Sequence, residues 1–261
     1  RLEREWGFDA TVRYIKVTGG PAGGEGALIG LKDGTIVKIF VDQPFPVTVV
    51  KHARGVKCLD LSRDRRRVAA VDDDGVVVVY DAETGALVHE DAKLNYDSLA
   101  WNTEFDDMLC YSGNGTLCVR TADFPAQTQS SRGFVVGFKG TKAFCLRGGS
   151  AAVVDVPQSA SVAGFLEREE YDSAYAVACL GVTESDWRAL GLAAQSAVAA
   201  GHAEATAADG PWALTLDGPS FLSIMKHASS RAVREEVYRA YVTRASAGGS
   251  DNLPLIVQMP G

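Results

Sequence analysis

The sequence predicts a chain that is mainly β and then α: a partial β-propeller, followed by the start of an α-helical repeat and a mostly helical C-terminal segment. Three observations predict it. Short apolar runs separated by Gly-containing turns fill residues 1–157. The turn glycines recur, with 41 residues from Gly34 to Gly75, 40 from Gly75 to Gly115 and a shorter 34 from Gly115 to Gly149, and a period of about 40 is that of propeller blades. After Pro157 the apolar period changes from that of a strand to that of a helix.

The clearest unit is Val56–Val88, read as four strands joined by three turns. Val56–Leu61, Val68–Val71, Val76–Tyr80 and Ala86–Val88 are its apolar runs, and Asp74-Gly75 is a hairpin turn in which Gly supplies φ > 0. Before it come Thr11–Val17, Ala27–Leu31, Thr35–Val41 and Val47–Val50. After it come Ser98–Trp101, Met108–Ser112 and Thr116–Arg120, then Phe134–Phe138, Thr141–Leu146 and Ala151–Val156. This makes two fuller and two partial blades. A closed propeller has about four to eight, so further blades are expected ahead of Arg1. A ring cut in this way exposes an apolar blade face and an unpaired edge, and the isolated chain is expected to be poorly soluble.

Beyond Pro157, Val162, Phe165 and Leu166 are spaced for a helix. Tyr171, Ala174, Tyr175, Ala178 and Cys179 form a second helical stripe. Thr183 to Asp186 resembles a capping box with Asp in place of Glu, opening another helix at Trp187. Residues 189–210 are Ala-rich and weakly patterned, Trp212–Leu216 reads as a strand, Phe221–Lys226 as a helix, and Ser230–Ala245 as the clearest helix of this half. The expected divisions are 1–157, 158–188 and 189–261.

Composition bounds the function. With 46% apolar residues among 261, the chain supports a packed core, and a net charge of −7 argues against nucleic acid or an anionic membrane as main partner. Five cysteines, none in a Cys-x-x-Cys pair, fit a reducing compartment. No apolar run reaches the roughly 18 residues of a membrane span, so no membrane insertion is expected, and no signal-peptide pattern opens the sequence.

Each candidate for chemistry has a simpler reading. Gly19–Gly26 is glycine-rich but lacks the Gly-Lys-Ser/Thr ending of a phosphate loop, so it reads as a connection. His89-Glu90 lacks the second zinc ligand, because Lys93 occupies that position. His52, His202 and His227 have no His or Cys at ligand spacing and read as surface or packing residues. Cys58, Cys110, Cys118 and Cys145 lie in apolar runs and read as core. Asp72–Asp74 lacks the EF-hand pattern and reads as a solvated turn, as does the basic run Arg65–Arg67. Ser220 is not in a Gly-x-Ser-x-Gly elbow. No catalytic, cofactor-binding or metal residue is assigned, and no cofactor is expected.

A colinear set of motifs adds to this: Arg13 to Val17 with Gly19-Gly20-Pro21, Gly30 to Gly34, Val37 to Asp42, Ala100 to Thr103, Asp107 to Cys110, Gly133 to Gly137, Val156 to Ala160, Ala178 to Thr183 and Asp186 to Arg188. Over residues 1–188 the chain resembles the intraflagellar transport protein 122 family, a WD-repeat subunit of the intraflagellar transport A complex. The resemblance implies the later part of a second propeller leading into a helical arm, and a non-enzymatic scaffold acting in retrograde ciliary transport and cilium assembly. It implies the other complex A subunits as partners, and a place on the cytoplasmic side of the cilium or flagellum and basal body. It names no catalytic residues.

Residues 189–256 resemble a different family, the M3 oligopeptidases, through Ala189 to Gln195, Gly201-His202, Gly210 to Trp212, Thr215 to Asp217, Pro219-Ser220, Arg234-Glu235, Tyr238 to Tyr241, Arg244 to Ser246 and Asp251-Asn252. That family is a helical zinc peptidase, but its His-Glu-x-x-His lies downstream of this stretch and is absent from the chain, so no metal site is inherited. The two stretches meet near Arg188–Gly191 and are expected to be a gene-model fusion, which a single transcript read across codons 180–200 would overturn. Three readings are carried: a complex A scaffold, an inactive M3 zinc oligopeptidase fragment, and a generic β-propeller interaction module. Stoichiometric zinc with peptide turnover distinguishes the second. Co-purification with ciliary transport subunits distinguishes the first from the third.

Overall fold

The structure, a computed structural model, describes residues 4–183, 185–186, 189–190 and 193. The chain divides into two compact units, Arg1–Val156 and Pro157–Gly261. The strand expected at Trp212–Leu216, the helices at Phe221–Lys226 and Ser230–Ala245, and His202, Ser220 and His227 lie outside the described residues.

The first unit is a partial β-propeller of four antiparallel blades. Blade one is β1 (Val12–Gly19), β2 (Gly26–Leu31), β3 (Thr35–Phe40) and β4 (Val47–Lys51). Blade two is β5 (Val56–Leu61), β6 (Arg67–Asp72), β7 (Val77–Asp81) and β8 (Leu87–Asp91). Blade three is β9 (Ser98–Trp101), β10 (Met108–Gly113), β11 (Thr116–Thr121) and β12 (Gln127–Ser130), and blade four is β13 (Phe134–Lys139), β14 (Lys142–Arg147) and β15 (Ser150–Asp155). Each sheet runs in sequence order, with β1 against β5, β5 against β9 and β9 against β13 as the inner strands.

Three blades therefore have four strands, where the sequence predicts two. The missed strand is β12, whose Gln127–Ser130 residues are all polar and pair with the outer side of β11. This outer strand is exposed on one face and only half-buried on the other, so it needs no apolar residues and no hydrophobic pattern marks it.

Blade two shows what the apolar runs are for. One face of its sheet, with Ala69, Val71, Val77 and Val79, packs with Leu99, Trp101, Leu109 and Tyr111 of blade three. The other face, with Val68, Ala70, Val78 and Tyr80, packs with Leu28, Ile36 and Val50 of blade one. A strand covered on both faces reads as a continuous apolar run rather than an alternation, which is why β6 and β7 are so easily seen. The turns between the second and third strands use glycine at positive φ in each blade: Gly34 (87°), Gly75 (76°), Gly115 (77°) and Gly149 (86°). The repeat period in the sequence is the period of this turn.

In the second unit, α1 (Ser159–Glu167) and α2 (Tyr171–Leu180) pack on each other. Val162 and Phe165 are buried on α1. On α2 the buried face is Ala174, Val177 and Ala178, while Cys179 is exposed. The stripe is thus rotated by about one residue from the spacing that includes Cys179. Asp186 accepts hydrogen bonds from the Thr183 backbone N–H (2.9 Å), the Thr183 hydroxyl (2.7 Å) and the Ser159 hydroxyl (2.6 Å). The first of these is the reciprocal half of the expected capping box.

Candidate interaction surface

The triple aspartate is more than a solvated turn. Its three members each take a basic group from blade one or the β4–β5 connection: Asp73 pairs with Arg13 (3.1 Å), Asp74 with Arg54 (2.5 Å), and buried Asp72 with His52 Nε2 (3.2 Å). Asp72 Oδ1 also accepts the backbone N–H groups of Asp74 and Val76, at 2.9 and 2.8 Å. His52 Nδ1 lies 2.6 Å from the Tyr80 hydroxyl. His52 is therefore half of a structural bridge between the β4–β5 connection and blade two. Spacing to other His or Cys residues did not reveal this, because its partners are Asp and Tyr.

Asp60 makes a second tie between blades. It is buried at the end of β5, accepts the Trp101 backbone N–H of blade three (3.0 Å), and pairs with Lys16 of blade one (3.0 Å). The neighbouring basic run is also partly committed: Arg67 pairs with Asp107 of blade three, and Arg65 donates to the Thr18 carbonyl oxygen (3.2 Å).

Where β1, β5 and β9 end on the same side of the arc, a cleft of about 260 Å³ opens. Lys16, Thr18, Asp60, Arg63, Arg65 and Trp101 contribute to its walls. A second recess of about 430 Å³ lies between blades one and two, with Lys38, Arg65, Arg66, Asp81 and Glu83 in its lining.

The remaining candidates have structural placements. Cys58, Cys110, Cys118 and Cys145 are buried on β5, β10, β11 and β14, and burial pushes each thiol up, away from the reactive thiolate. His89 lies on β8, the outer strand of blade two, where burial and then the nearby Arg120 charge hold it below its ordinary range. The Gly19–Gly26 stretch connects β1 to β2. Among the described residues no group of three or more His, Cys, Asp or Glu is placed to share a metal ion. Among them, too, no helix is long and apolar enough to cross a membrane.

Two turn carboxylates make an acid-dependent contribution. The Lys51 ammonium, followed by the Thr35 backbone N–H, lowers Asp33 to about 2. The Thr84 backbone N–H and hydroxyl lower Asp81. A carboxylate depressed by folding adds stability that is present above its unfolded value and lost as pH falls through its folded value. The melting temperature is expected to hold from neutrality to about pH 4 and to fall from there toward pH 2. Asp33→Asn should flatten part of that fall.

Blade four presents a bare apolar face. Phe134, Val136, Phe144, Leu146 and Val153 are exposed, whereas Val135, Phe138, Ala143 and Cys145, on the opposite face, are buried. A contiguous patch of this kind drives association. Size-exclusion chromatography of the isolated chain is expected to show aggregates, and Phe144→Lys with Leu146→Lys should shift it toward monomer. A sharply melting monomer of the unaltered chain would contradict this.

Residues 1–150 match the family described as IFT122 second beta-propeller. The chain belongs to the IFT122 second β-propeller family. It is 51% identical over 188 residues to the intraflagellar transport protein 122 homolog of Danio rerio, covering 72% of this chain and 16% of that protein. The Homo sapiens homolog is 48% identical over 192 residues, 74% of this chain and 15% of that one. The chain thus spans about 16% of the length of such relatives. A separate, short match joins it to the organellar oligopeptidase A of Arabidopsis thaliana, 61% identical over 71 residues, which is 27% of this chain and 9% of that protein.

Membership gives the blades a family context. The Gly34 turn, the β3 run from Val37 and the Trp101 corner of the cleft all fall inside residues 1–150 and so within the matched propeller.

Proposed function

We propose that this chain is part of a non-enzymatic scaffold subunit of the intraflagellar transport A complex, acting in retrograde ciliary transport and cilium assembly through protein–protein contacts. The observation that carries the reading is the match of residues 1–150 to the second propeller of the IFT122 family. The geometry agrees with it. Asp60, Asp72 and Arg67 of the propeller form ties between blades, and its thiols are buried, while an open cleft and a bare sheet face are left for partners. The partners proposed are the other complex A subunits, and the place is the cytoplasmic side of the cilium and basal body. Residues 1–157 are the propeller segment, 158–188 the start of a helical arm, and 189–261 an oligopeptidase-like stretch without the His-Glu-x-x-His of a zinc peptidase. The test is affinity capture of the tagged full-length protein. Recovery of complex A subunits, with no zinc-dependent peptide hydrolysis, supports the reading. Capture without them, or stoichiometric zinc with turnover, overturns it.

A further inference from the structure

The cleft at the ends of β1, β5 and β9 has three properties that the fold does not require. The first is unspent positive charge. Lys16 is neutralised by Asp60, but Arg63 and Arg65 donate only to backbone carbonyl oxygens, of Glu104 (3.1 Å) and Thr18 (3.2 Å), and neither forms an ion pair among the described residues. A guanidinium has five N–H donors, so most of each fork is uncommitted. This stands out in a chain of net charge −7.

The second is unsatisfied polarity. Trp101 is only 4% exposed, and its indole Nε1–H has no acceptor among the described residues; the Thr18 hydroxyl is likewise buried without a partner. Both residues line the cleft. A buried group left in this condition costs about 1–3 kcal/mol, which an incoming acceptor offsets.

The third is backbone strain. Arg65 sits at φ 63°, a left-handed conformation that an Arg rarely adopts. The turn that holds it there is tied on both sides. Ser62 N–H donates to the Arg67 carbonyl oxygen, Arg67 N–H to Ser62 Oγ, and Arg66 N–H to Asp64 Oδ1, at 2.9, 2.9 and 3.0 Å. Strain retained at one position by a fully bonded turn marks a side chain whose direction matters.

We propose that this cleft is a docking site for a carboxylate side chain in an acidic segment of a partner protein. Arg63 and Arg65 grip the carboxylate, and its entry opens the sealed Trp101 N–H and Thr18 hydroxyl to it. The volume of about 260 Å³ lies below the roughly 300–1,000 Å³ of pockets for free small molecules, which favours a side chain presented by a chain. Asp60 and Asp64 beside the arginines, with the overall negative charge, disfavour a nucleic-acid backbone. The site adds a partner chemistry to the scaffold reading without depending on which complex the scaffold serves.

The test uses the full chain and fluorescence anisotropy with three labelled probes: an alternating Glu-Gly peptide, the same peptide with Gln for Glu, and an RNA oligonucleotide of equal charge. The Glu peptide is expected to bind about tenfold or more tighter than the Gln peptide, as loss of charge-assisted hydrogen bonds implies. Arg63→Gln and Arg65→Gly should each weaken it by about tenfold. Trp101→Phe should weaken it by about threefold, and Lys142→Gln, at an exposed position of β14, should leave it unchanged. Arg65→Gly removes the side chain while relieving the backbone, so its melting temperature should not fall and a loss of binding cannot be ascribed to unfolding. Equal binding of the Gln peptide, no binding of the Glu peptide, affinity unaltered in the two arginine variants, or tighter binding of the RNA would each overturn the proposal. None of these outcomes bears on the capture of complex A subunits, which tests the scaffold reading separately.

Discussion

Gly34→Ala is expected to destabilise the propeller by about 4 kcal/mol, while the same change at Gly115 costs about 1 kcal/mol. Both glycines sit at the same turn, of blades one and three, and at similar φ, 87° and 77°. The backbone cost of placing Ala there is therefore shared. The difference lies in what a new methyl meets. At Gly34 it would fall far inside van der Waals contact of the His52 carbonyl oxygen and 2.5 Å from that of Arg54, both backbone atoms of the following connection. At Gly115 the nearest atom is the Arg132 Cγ at 3.7 Å, ordinary contact with a flexible side chain. Thermal or urea unfolding of the two variants checks this. Equal losses would mean that the Gly34 turn has room the structure does not show.

Asp72→Ala is expected to cost about 3 kcal/mol, against less than about 0.5 kcal/mol for Asp73→Ala. The two carboxylates are neighbours, and each faces a basic side chain, Asp72 that of His52 and Asp73 that of Arg13. Asp72 is 3% exposed and accepts two backbone N–H groups besides facing His52. Removing it leaves those part-buried donors without their acceptor, and breaks the His52 bridge to blade two. Asp73 meets Arg13 in a pair whose side chains are 40% and 34% exposed, where water screens most of the attraction. A double-mutant cycle between His52 and Asp72 isolates the bridge, and a coupling energy near zero would remove it from the account.

These two residues also show what the sequence can reveal. Gly34 and Gly75 mark the repeat because the turn needs positive φ, and few residues other than glycine accept it. That constraint is local, so it is visible in one chain. The runs of β6 and β7 are visible for the same kind of reason, since burial on both faces forces every position to be apolar. Asp72 is different. As a residue of a DDDG turn it resembles any solvated hairpin, and its burial comes from blade one, 20 residues upstream at His52. The cleft is less legible still. Its lysine comes from β1, its arginines from the turn after β5 and its tryptophan from β9, each about one blade period apart, and only the inner-strand neighbourhood brings them together. β12 was missed because a polar outer strand carries no hydrophobic signal at all.

We propose that residues 1–188 act as the corresponding segment of an intraflagellar transport protein 122 homolog acts. The direct measurement is replacement of that segment in the Danio rerio homolog, 51% identical over 188 residues, by residues 1–188 of this chain, in cells lacking the endogenous protein. Cilium length and retrograde transport rate are then read. The chimera is expected to recover both, and to lose that recovery when Gly34→Ala is added. A chimera that accumulates to normal levels, co-purifies as a folded protein and restores neither would contradict it.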